Sequence, residues 1–191
     1  MPLSILVPGT GTHTGTGTRR VREYRNTNKD PPVTHPHRKV MLVTLGCKIN
    51  QYDTNSMVSS LRGKGHGVVD EPADADVIVI NTCTVTGRTD YKGRQMVRKA
   101  ILQNRSAVII VTGCYAQVQA EKIAEIPGMD YLLVNMEKQE IAAWVSTGEK
   151  RDIPVIRTGD ISKDRSLGLE SPDVHSGTTR AFLKIQDGCN H

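Results

Sequence analysis

Three of the four cysteines in this 191-residue chain close the same local pattern: an apolar run, a small or hydroxylated residue, then the thiol. The runs read VMLVTLGC ending at Cys47, VIVINTC ending at Cys83 and AVIIVTGC ending at Cys114. A lone cysteine after an apolar strand is most often an inert small hydrophobe. Three in equivalent positions point instead to one shared ligand. Structural zinc would ask for a fourth protein ligand and commonly a Cys-x-x-Cys knuckle, and neither is present. An iron-sulfur cluster held by three thiolates, with one iron left open, suits the pattern better. A non-catalytic metal-binding module is the plainer alternative.

A different chemistry is that of a cysteine nucleophile. The stretch CTVTGR at 83–88 resembles the phosphate loop of tyrosine phosphatases, but it is one residue shorter between cysteine and arginine. That difference would misplace Arg88 relative to the thiolate.

The elements that must position the thiols follow from the apolar runs. Each is too continuous for a half-exposed strand and too short for a free-standing helix, so each reads as a strand buried on both faces. The expected fold class is therefore α/β: an open, mainly parallel sheet with flanking helices, Rossmann-like or flavodoxin-like. Ligands of such sheets bind beyond the carboxyl ends of the strands, where all three thiols fall. Gly46 and Gly113, each just before a thiol, would let backbone approach closely.

Helices are expected between the strands. The first spans 48–65, capped by Asp53 or Thr54, with Met57, Val58 and Leu61 inward. The second, within 84–105, carries Tyr91, Gln95, Met96, Lys99, Ala100 and Leu102 at roughly helical spacing. It also holds a cluster of cations, Arg88, Lys92, Arg94, Arg98, Lys99 and Arg105, against one acid, Asp90. A third helix in 115–128 would carry Val118, Ile123, Ala124 and Ile126, and a last one, 137–147, would turn Ile141, Trp144 and Val145 inward. Short strands are expected at 67–69, 131–134 and 153–156.

Composition sets the boundaries. Aromatic residues make up 4%, so the core must be aliphatic. The net charge of +5 is local, because residues 1–39 hold seven basic and two acidic side chains and the remainder holds 18 of each. Widely spaced cysteines are unlike a secreted disulfide framework, which favours a reducing cytoplasm, and nothing reads as a membrane span or leader. Residues 1–38, low in apolar periodicity, are expected to be a disordered tail. Residues 39–148 form the α/β domain, 149–180 a polar linker, and 181–191 the start of a further unit containing Cys189.

The motifs TLGCKINQYDTN, INTCTVTGRTDYKGRQ and VTGCYAQ, in this order and spacing, resemble the N-terminal domain of the radical-SAM methylthiotransferases. RAFLKIQDGCN resembles the opening of their radical-SAM domain, so the likeness covers about residues 39–191. It is greatest to the branch acting on N6-threonylcarbamoyladenosine beside the tRNA anticodon. The branches acting on isopentenyladenosine in tRNA and on a ribosomal-protein aspartate rank second and third.

The resemblance implies that Cys47, Cys83 and Cys114 hold an auxiliary 4Fe-4S cluster. It implies that Cys189 is the first ligand of a second 4Fe-4S cluster that binds S-adenosylmethionine, with the two other ligands beyond His191. On that reading the chain carries the auxiliary-cluster domain and is expected to be inactive alone. Asn50, Gln51 and Asn81 are expected to orient cluster or substrate, and Arg88, Lys92 and Arg94 to meet RNA phosphates. The expected partner is the tRNA anticodon region, met by a cytoplasmic monomer. No sulfur donor is assigned.

Overall fold

In the computed structural model, residues 37–84 and 87–157 are described. The tail as far as residue 36, the segment beyond 157 and Cys189 lie outside the described residues.

The strands are β1 (Lys39–Thr44), β2 (Gly67–Val68), β3 (Val77–Thr82), β4 (Val108–Gly113), β5 (Tyr131–Leu133) and β6 (Val155–Arg157). The helices are α1 (Lys48–Gly63), α2 (Gly87–Gln103), α3 (Cys114–Val118), α4 (Ala120–Ala124) and α5 (Ile141–Thr147). All strand pairs are parallel, in the order β2-β1-β3-β4-β5-β6. Its first five strands follow the flavodoxin-like order, whose direction of winding reverses between β1 and β3. The α/β expectation is met, and the reversal falls where two of the thiols emerge.

Alternation along the strands explains the continuous apolar runs. Ile78, Ile80, Ile109 and Val111 pack on one face with Val97 and Ala100 of α2 and with Tyr115 and Ile123. Val77, Val79, Val108 and Ile110 pack on the other with Met57 and Leu61 of α1 and with Ile141 and Val145 of α5. Successive residues of a strand point to opposite faces, so two-sided cover demands an apolar residue at every position. β3 and β4 are accordingly buried throughout. β1 is not. Only Val40 is fully buried there, because its outer neighbour β2 pairs with Lys39 and Val40 alone.

Several helical expectations need correction. α1 begins directly after Cys47, which occupies the N-cap without a side-chain bond. Asp53 and Thr54 therefore lie inside the helix and cap nothing. Asp53 is buried against Lys138 at 2.8 Å, and the Thr54 hydroxyl donates to Asn50 O. On α2 the inward stripe is Gly93, Val97 and Ala100, while Tyr91, Gln95, Lys99 and Leu102 face solvent. The expected single helix in 115–128 breaks at Gln119, whose φ of −130° and ψ of 43° leave the helical region, and Val118 is exposed. The last helix starts at Ile141, preceded by a 3₁₀ segment over Asn135–Glu140.

The short strand expected at 153–156 is β6, and its pairing with β5 draws part of the segment read as a linker into the sheet. Asp130 pins it there. Its buried carboxylate accepts from Ile109 N–H, Arg151 N–H and Lys150 Nζ.

Candidate metal centre

The three thiols emerge from neighbouring strands at one edge of the sheet. Cys47 lies three residues beyond β1, Cys83 directly follows β3, and Cys114 directly follows β4 and opens α3. Thr82 is in register with Gly113, so Cys83 and Cys114 leave the sheet side by side. The first loop reaches the second by close contact. Gly46 has φ +131°, and a Cβ built on it would stand 2.4 Å from Cys83 Cβ and 3.0 Å from Cys83 Sγ. Gly113, at φ +101°, would put a Cβ 2.1 Å from Thr82 O. Both glycines are thus required by the packing of one thiol-bearing loop on another, because any side chain would collide there.

The three described cysteines form no disulfide, and Cys83 is buried, Cys114 half-buried and Cys47 exposed. Burial pushes the Cys83 thiol up, and the neighbouring Cys114 and Cys47 thiols push it further. Amide contacts from Cys47 and Thr84 offset part of this. A nucleophilic cysteine needs a depressed thiol, so the environment works against the phosphatase alternative.

Below the thiols lies a polar layer. The buried Asn50 Nδ2 donates to Leu45 O and to Thr82 O, each at 2.9 Å. Asn81 Nδ2 donates to Asn50 O at 3.0 Å and to Thr54 Oγ1 at 3.2 Å. Thr82 Oγ1 donates to Thr112 O at 2.6 Å. Asn50 and Asn81 thus stand at the site as expected. Gln51 does not; it faces solvent and meets Lys48 Nζ at 3.4 Å.

The cations divide in the same way. Lys92 is exposed, together with Arg98 and Lys99. Arg94 is half-buried, donates to the Tyr115 hydroxyl and sits 6.0 Å from that ring's centroid. It thereby holds α2 against α3 beside Cys114. The Arg88 side chain is outside the described residues. Tyr115 itself, fully buried next to a thiol, escaped the sequence reading because its partner lies 21 positions earlier in the chain.

Among the described residues, no three His, Cys, Asp or Glu side chains are grouped to share a single metal ion. The donor set fits a 4Fe-4S cluster, which takes one thiolate per iron: three soft sulfurs, and glycines that keep side chains away from the loops that bear them. Asn50 Oδ1, Asn81 Oδ1 and Thr112 Oγ1 are buried below it without a protein hydrogen-bond partner.

Comparison with known proteins agrees with this architecture. Residues 39–135, which contain all three thiols, match the uncharacterized protein family UPF0004. The threonylcarbamoyladenosine tRNA methylthiotransferase MtaB of Bacillus subtilis is 41% identical over 148 residues, covering 78% of this chain and 33% of that protein. The enzyme of the same name from Aquifex aeolicus is 36% identical over 152 residues, covering 80% and 37%. A ribosomal protein uS12 methylthiotransferase RimO from Anaeromyxobacter is 32% identical over 157 residues, covering 80% and 33%. The chain spans about a third of the length of these curated relatives. With half of its length matched and its thiols inside the match, the chain belongs to the UPF0004 family, the N-terminal domain of the methylthiotransferases.

Proposed function

We propose that this domain is the cluster-holding part of a methylthiotransferase that adds a methylthio group to C2 of N6-threonylcarbamoyladenosine beside the tRNA anticodon. The observation that carries the reading is the placement of Cys47, Cys83 and Cys114 after three adjacent parallel strands, in a chain related to enzymes named for that reaction. Each of these thiolates would hold one iron of an auxiliary 4Fe-4S cluster, with no fourth thiolate from the described residues to close it. When bound, the cluster supplies an open iron site at which sulfur for transfer can be held.

The chain's own residues do the rest. The β3–β4 ladder spaces Cys83 from Cys114, and burial keeps water from the Cys83 side. Cys47, the exposed thiol, marks the side from which substrate approaches. Lys92, Arg98 and Lys99 offer an exposed basic face on α2 to RNA phosphates, which bind cations without regard to sequence. Cys189 is proposed as the first thiolate of the second 4Fe-4S cluster, which binds S-adenosylmethionine. No described helix is long and apolar enough to cross a membrane, and a cytoplasmic monomer is proposed.

Relatives named as uS12 methylthiotransferases match at 30–32%, while those named for threonylcarbamoyladenosine in tRNA range from 29% to 41% and include the matches at 41%, 36% and 35%, so tRNA is the favoured substrate. A chimera tests this. Residues 39–157 replace the matching segment of the Bacillus subtilis relative in a cell lacking its own enzyme. Methylthiolated threonylcarbamoyladenosine in the nucleoside mass spectrum is the expected result. Its absence, with modification of isopentenyladenosine or of uS12 instead, would overturn the substrate assignment.

A further inference from the structure

The sheet does not position the three thiols equally. Backbone pairing between β3 and β4 continues to Thr82 and Gly113, so the ladder itself sets Cys83 against Cys114. Pairing between β1 and β3 ends at Thr44 and Asn81, followed by one further bond from Leu45 N–H to Asn81 O. Gly46 and Cys47 lie beyond that last rung. Their loop meets Cys83 through the Gly46 packing and the Cys47 amide, and it is tied to the β3 backbone by the Asn50 side chain, whose two amide hydrogens go to Leu45 O on one side and Thr82 O on the other.

An asparagine in the first turn of a helix commonly bonds to backbone a few positions away. Asn50 does more. Its bond to Thr82 O spans 32 positions, and that carbonyl belongs to the residue immediately before Cys83. Asn81 fixes Asn50 in turn by donating to its backbone oxygen across 31 positions. The Asn81 Oδ1 lies 2.7 Å from where a Cβ on Gly113, the residue before Cys114, would stand. Asn50 and Asn81 are both at or below 1% exposure, so neither bond competes with solvent.

We infer that Asn50 is a positioning residue that sets Cys47 against Cys83 before any ligand arrives, with Asn81 holding Asn50 in place. The inference rests on the cluster reading for its purpose and on hydrogen bonding alone for its geometry. It makes an asymmetric demand. Loss of Asn50 must separate Cys47 from Cys83 while leaving Cys83 and Cys114 together.

The test uses the whole chain and the variants Asn50→Ala, Asn50→Ser and Asn50→Asp. A short thiol-bridging reagent is applied to the metal-free protein, and each cross-link is identified by peptide mass spectrometry. Cys47–Cys83 bridging should slow about tenfold, the scale of one lost hydrogen bond, while Cys83–Cys114 bridging stays within about twofold. After anaerobic reconstitution with ferrous iron and sulfide, the same variants should lose iron to a chelator about tenfold faster and show an altered paramagnetic resonance spectrum when reduced. Equal slowing of both bridges, or of neither, overturns the inference. So does failure of all three variants to fold, which would assign Asn50 to the fold itself. If the unsubstituted chain takes up no iron but the asymmetry in bridging is seen, the cluster reading fails and the positioning role stands.

Discussion

Gly46 and Cys83 are packed so closely that a β-carbon on the glycine would overlap the Cys83 β-carbon at 2.4 Å and crowd its sulfur at 3.0 Å. The first thiol-bearing loop is therefore built against the second thiol. Gly46→Ala must both move Cys83 and hold an alanine at φ +131°, a conformation that costs about 1–3 kcal/mol for a residue with a side chain. A drop in urea-unfolding stability of that size and faster alkylation of the buried Cys83 thiol are expected. Gly113→Ala should be worse, because its clash is with the Thr82 carbonyl, which belongs to the backbone and cannot rotate away.

The buried ion pair between Asp53 and Lys138 joins α1, the helix that Cys47 opens, to the 3₁₀ segment before α5. Replacing Lys138 by Met leaves a buried carboxylate without its cation, a change that typically costs about 3–5 kcal/mol. The double variant Asp53→Leu with Lys138→Met should recover much of this, since the uncompensated charge is gone. Chemical denaturation of the three proteins provides the comparison. A single variant as stable as the parent would contradict the importance given to the pair.

His66 predicts a pH dependence far from the thiols. Its Nδ1 accepts from Arg38 N–H and its Nε2 meets Ser146 Oγ, whose own hydroxyl donates to Ala142 O, so the partners suit the neutral ring. Burial first, and then Arg38 and His37, push its pKa below the usual histidine value, outweighing the Ala142 contact that raises it. The unfolded chain then binds the proton more readily than the folded one. The stabilisation from this group is complete above about pH 6.5 and is lost as pH falls through the lowered folded value. The melting temperature should decline over that range in the parent and less steeply in His66→Gln. Equal slopes in the two would count against it.

The exposed cations of α2 separate RNA contact from packing. Neutralising Lys92, Arg98 and Lys99 together should weaken tRNA binding about equally across sequences and reduce the salt dependence by about one unit per lost phosphate contact. Arg94→Ala should behave differently. It should lower stability through the lost Tyr115 contact and leave the salt dependence unchanged. Binding data over a salt series, with calorimetry for Arg94→Ala, decide between the two roles.

What could be read from the sequence depended on how local each signal was. The runs before Cys47, Cys83 and Cys114 announced parallel strands because two-sided burial leaves no polar position, and β3 and β4 are buried throughout. The carboxyl-edge position of the thiols followed from the strands alone. Asp53 was mistaken for a cap because its partner Lys138 lies 85 positions away and nothing nearby betrays the pair. Of the α2 residues at helical spacing, Met96 and Ala100 pack on the core, while the buried Gly93 went unread because it packs toward the Tyr115 ring without an apolar side chain to register as periodic. Asn50 stood out by its nearness to a thiol, but its hold on Thr82 O required the register of two strands to be known.

The central claim is that three thiols share one cluster, and metal content after anaerobic reconstitution with iron and sulfide tests it most directly. The comparison is among the parent chain, Cys47→Ser, Cys83→Ser, Cys114→Ser and Cys189→Ser. The parent should become a brown, oxygen-sensitive protein with about four irons and four sulfides per chain. Serine at Cys47, Cys83 or Cys114 should abolish the colour, and serine at Cys189 should leave most of it. Stoichiometric zinc without iron uptake, or a cluster that survives serine at Cys83, would contradict the shared site.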